Sequence, residues 1–149
     1  MRETLAEALK TALKTGDKRR TSTLRLIQAA IQDRDIAHRG AGKDPVTDEE
    51  ILQILTKMVK QRQESAKAFE EGARLELAAQ ERDEIAIISD FLPKQMEDGA
   101  VRDAAQKVIT EVGADGLRDM GRCMNALKER YPGQMDFGKA SGIVKELLQ

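Results

Sequence analysis

Apolar residues recur along this chain every three or four positions, the spacing of one face of an α-helix. No stretch alternates with a period of two long enough to predict a strand. Leu5, Leu9, Ala12 and Leu13 predict a first helix over residues 2–15, ended by Gly16 and Asp17. A second, over 18–38, carries Leu24, Ile27 and Ile31 on one stripe. Thr47 followed three residues later by Glu50 has the spacing of a capping box, and Asp48, Glu49 and Glu50 suit the positive end of a helix dipole. That signal opens a third helix over 48–71, with Ile51, Leu55, Met58 and Val59 inward and Gly72 as its stop. A fourth is predicted over 73–91, with Ala78, Ile85, Ile88 and Leu92 near one face.

The three prolines, Pro45, Pro93 and Pro132, fall where this periodicity breaks, as expected of a residue with no amide proton to give a helix. Beyond Pro93 the pattern restarts. Val101, Ala105, Val108 and Val112 mark a fifth helix that Gly113 and Gly116 end. Leu117, Met120, Met124, Leu127 and Tyr131 form the stripe of a sixth, stopped by Pro132 and Gly133. Asp136 is placed to cap a seventh that presents Phe137, Ala140, Val144 and Leu147. The expected fold is all-α: an N-terminal helical domain of about four helices over 1–92, then a small three-helix domain over 93–149, hinged at 91–95. Gly121, Gly138 and Gly142 lie inside predicted helices, where each costs about 1 kcal/mol relative to alanine. Close helix–helix approach within the small bundle would justify them, and so would close approach to another backbone such as RNA.

Composition agrees with helices. Aromatic residues are only 3% of the chain, so aliphatic side chains must fill the core. The net charge of −1 gives no general attraction for nucleic acid. No apolar run approaches the roughly 20 residues of a membrane span, and the N-terminal stretch lacks the apolar segment of a secretory leader. A soluble cytoplasmic protein is expected. One cysteine and one histidine exclude both an internal disulfide and a Cys/His metal cluster.

Nothing in the spacing singles out a catalytic group, a cofactor site or a metal site. Cys123 has no histidine near it in sequence and reads as a packed thiol. His38 reads as a helix C-terminal cap. GAGKD at 40–44 lacks the spacing of a phosphate loop. Charge distribution says more. Lys14, Lys18, Arg19, Arg20 and Arg25 form a candidate basic face near the N-terminus, while the fourth helix is acidic. The two could complement each other within the bundle, or the basic face could bind RNA phosphates. Arg118, Arg122, Lys128, Arg130, Lys139 and Lys145 form a second candidate, a tRNA-binding patch on the last helices. With one tyrosine, three phenylalanines and no tryptophan, base stacking is not expected, so recognition would be of backbone and shape.

Three segments in this order, TSTLRLIQAAI at 21–31, EIAIISDFLPKQM at 84–96 and MGRCMNALKERYPGQMDFGKASGIVKELL at 120–148, resemble the YqeY family. That family is related in its C-terminal part to the tail domain of the B subunit of the tRNA-dependent amidotransferase. The resemblance implies an all-helical protein whose last three helices are tail-like, and a noncatalytic accessory role in binding tRNA or associating with an amidotransferase. Carbon–nitrogen ligation with glutamine as amide donor is implied only as part of such a complex, since the reacting groups of that enzyme lie in other domains and subunits. A helical adaptor that binds a protein partner and no RNA is the alternative of a different class.

Overall fold

The computed structural model describes residues 1–149 and contains seven α-helices and no strand. Its two compact units are Met1–Leu92 and Pro93–Gln149. The first holds α1 (Arg2–Thr15), α2 (Lys18–Gly40), α3 (Asp48–Glu71) and α4 (Leu75–Ser89). The second holds α5 (Asp98–Val112), α6 (Met120–Arg130), preceded by a 3-10 turn at Leu117–Asp119, and α7 (Phe137–Leu148).

In the first unit the stripes read from sequence converge on one core. Leu5, Leu24, Ile27, Ile31, Ile51, Leu55, Met58 and Ile88 are buried together. Val46 joins them from the α2–α3 loop, which is tied down by an ionic clamp. Arg2 donates through both terminal nitrogens to the Asp35 carboxylate at 2.8 Å, and also to the Val46 carbonyl. Asp35 in turn accepts the Val46 amide at 2.9 Å. The capping box at the start of α3 forms as expected: the Glu50 amide donates to Thr47 Oγ1 and the Thr47 amide to Glu50 Oε1.

Helix α4 is shorter than its apolar pattern suggests. Ala73 sits at φ 60°, the left-handed region, and so interrupts the path from α3; helical geometry resumes only at Leu75. At the other end the helix stops at Ser89, and Phe91 and Leu92 make i→i−3 turn bonds to Ile88 and Ser89 before Pro93, the residue before a proline being disfavoured in a helix. Helix α2 runs to Gly40, two residues past His38. Leu13, expected on the inner stripe of α1, is instead exposed.

The second unit closes around Val101, Ala104, Ala105, Val108, Cys123, Leu127, Met135, Ala140 and Val144. Asp136 caps α7, its Oδ1 accepting the Gly138 amide. Leu117 lies in the 3-10 turn and is exposed, because α6 starts only at Met120. The linker ends are anchored differently. Phe91 and Leu92 pack on the first core, while Gln95 donates to the Gly133 carbonyl and Met96 to the Gln134 carbonyl in the second unit.

Candidate nucleic-acid interface

The two basic sets are divided by their partners. In the first unit Arg19 pairs with Asp83 at 2.5 Å and Arg20 with Asp90 at 3.0 Å, on and just beyond α4. The Arg20 guanidinium also lies 5.6 Å from the centre of the Phe91 ring, a cation–π contact. The acidic fourth helix therefore takes up these two arginines. Lys14, Lys18 and Arg25 stay exposed with no carboxylate partner, and Lys18 and Arg25 rim a groove between α1 and α2.

In the second unit Arg122 and Arg130 are also engaged, and Arg118 only loosely, its side chain being 81% exposed. Arg118 lies 4.0 Å from Asp115, Arg122 pairs with Asp119 and donates to the Val112 carbonyl at 2.5 Å, and Arg130 pairs with Glu111. Asp119 is held below the usual carboxylate range, first by the Asp115 amide it accepts and then by Arg122. These contacts fix the turn between α5 and α6; the i,i+3 spacing of Asp119 and Arg122 signals their pairing, but nothing local signals the bond from Arg122 to the Val112 carbonyl. Lys128 on α6 and Lys139 and Lys145 on α7 are exposed and unpaired.

Helical geometry sorts those lysines further. On α7 the inward face is marked by Ala140 and Val144. Lys139 and Lys145 stand on either edge of the opposite face, about 120° apart around the helix, with Gly138 and Gly142 between them. A Cβ at Gly142 would meet nothing within 4 Å, and the same holds at Gly121 on α6. Close packing inside the bundle therefore does not explain these two glycines; they face solvent. The outer face of α7 is a strip of bare backbone edged by lysines. Glu146 lies on it too and is paired with Arg102 at 3.2 Å.

Reactive groups are placed elsewhere. Cys123 is fully buried, and desolvation followed by the Asp119 charge pushes its thiol up, opposite to what a nucleophile requires. His38 lies against two acceptors, with Nδ1 2.9 Å from the Asp44 carbonyl and Nε2 3.2 Å from Glu50. Its ring thus ties the α2–α3 loop to the start of α3, and the last carbonyls of α2, which it was expected to cap, are met instead by the Ala41 amide. No group of three or more His, Cys, Asp or Glu is placed to hold a metal ion, and no helix is long and apolar enough to cross a membrane.

The molecule is thus an all-helical protein whose distinctive surfaces are patches of unpaired cations on helix faces. The family model of the Yqey-like proteins matches residues 2–148, and the chain belongs to this family. None of the curated proteins matches it.

Proposed function

We propose that this protein is a noncatalytic accessory factor that binds tRNA through the outer faces of α6 and α7. The observation that carries the reading is the pairing pattern of the second unit. Its arginines have carboxylate partners, while Lys128, Lys139 and Lys145 are free, and Lys139 and Lys145 border the α7 face on which Gly138 and Gly142 leave the backbone open beside the Arg102–Glu146 pair. A bare helix face lets a phosphate chain approach closely, and flexible lysines supply charge without demanding a base sequence. The unit carries nine Lys and Arg against nine Asp and Glu, so any attraction is local.

The resemblance to the amidotransferase tail domain supports the same reading. In this account the chain brings tRNA to chemistry performed by other proteins, and amide transfer belongs to a complex. Fluorescence anisotropy with tRNA and with a duplex of equal charge tests it. Binding that weakens steadily with salt and favours tRNA is expected; equal binding to both would reduce the protein to a nonspecific polycation ligand and overturn the proposal.

A further inference from the structure

The α3–α4 pair outruns the core of its own unit. Met58 and Val59 are the last α3 residues to reach the hydrophobic cluster, and α3 continues to Glu71, about 18 Å further at 1.5 Å per residue. Along this arm the helices hold each other through buried Ala66 and Ala78 and the Arg82–Glu70 ion pair. The arm ends in two exposed leucines, Leu75 at 66% and Leu77 at 38% of full exposure. Glu71 and Glu76 flank them, exposed and without an ion-pair partner; Arg74 is the one cation within residues 70–77.

A surface of the opposite character lies at the other end of the same unit's sequence. The groove between α1 and α2, with a volume of about 500 Å³, is floored by Ala12, Leu13 and Leu26 and rimmed by Lys18 and Arg25. Leu13 is 52% exposed and Leu26 45%. The nearest acid in sequence, Asp17, is engaged in capping α2 through the Arg20 amide. A phosphate chain would use the two cations but leave both leucines in water. An apolar helix end carrying carboxylates satisfies all four residues at once, and the arm tip is such an end.

We infer that the arm tip of one chain seats in the α1–α2 groove of a second copy. Leu75 seats against Leu13 and Leu26, and Glu71 and Glu76 meet Lys18 and Arg25; Leu77, about 160° further around α4, borders the contact from the other flank. Because donor and acceptor surfaces differ, the contact is heterologous and builds head-to-tail rings or short arrays. It is independent of tRNA binding, which uses other residues.

Sedimentation velocity of the full chain, from micromolar to near-millimolar concentration at low and high salt, tests the inference. The wild type should self-associate, less so at high salt. Glu71→Lys/Glu76→Lys and Lys18→Glu/Arg25→Glu should each weaken association about tenfold or more, since like charges then face one another. An equimolar mixture of the two variants should associate again, because each supplies the surface that matches what the other retains. All four positions are exposed, and circular dichroism checks that the variants keep their helices. A wild type monomeric at the highest concentration, variants that associate as it does, or a mixture that fails to recover would each overturn the inference.

Discussion

Thr23 is 1% exposed and its hydroxyl has no hydrogen-bond partner. A buried unsatisfied hydroxyl costs free energy that an apolar group of similar shape would not. Thr23→Val should therefore raise unfolding stability by about 1 kcal/mol, read as a higher urea midpoint at unchanged slope; a lower midpoint would mean that the hydroxyl has a partner. Cys123 gives a second test. Buried and with its thiol pushed up, it should resist a thiol reagent in the native protein and react fully on unfolding. The inward role of Leu24, Ile27, Leu55 or Val144 is legible in the sequence, because helical spacing alone marks a buried face. The exposure of Leu13 is not, since the same spacing admits it to the stripe and only the placement of α2 beside α1 leaves it out. Val46 and Met135 escape a periodic reading of the core because loops carry no period.

At the scale of elements, local chemistry fixes the boundaries that have caps. The Thr47–Glu50 pair is readable from four letters and is present; Thr47→Ala should cost about 1 kcal/mol, measurable in the same urea titration. The clamp that closes the α2–α3 loop is invisible in sequence, because Arg2 and Asp35 are 33 residues apart and nothing local couples them. It has a pH signature. The Arg2 guanidinium, then the Val46 amide, hold Asp35 at about 2, down from an ordinary 3.8. The folded state thus favours the carboxylate more than the unfolded chain does. The resulting stability is complete above about pH 4 and is lost as pH falls through 2. The advantage of the wild type over Asp35→Asn in melting temperature should be level near neutrality and shrink between about pH 4 and pH 2. A constant gap over that range would mean that the ion pair does not form. The start of α4 falls later than its periodicity predicts for a backbone reason: an alanine in the left-handed region leaves no trace in an apolar pattern.

Across the whole molecule, the all-helical class follows from periodicity and the family from three segments in order. The candidate surface is only half legible. Sequence can collect the basic residues, but whether a cation is free depends on which carboxylate folds against it. Arg19, Arg20, Arg118, Arg122 and Arg130 have intramolecular partners, leaving the lysines of the two basic sets and Arg25 as the unpaired charge. Spacing alone fits the glycines of α6 and α7 to packing or to an approaching backbone, and their open surroundings become visible only once the helices are in place. Salt-dependent tRNA anisotropy, comparing the wild type with Lys128→Ala/Lys139→Ala/Lys145→Ala, tests this assignment most directly. Each phosphate that no longer has a lysine beside it takes about 0.9 off the slope of log affinity against log salt. The triple variant should bind more weakly, with a slope shallower by roughly 2 to 3. An unchanged slope and affinity, or no binding by the wild type at low salt, would contradict the account.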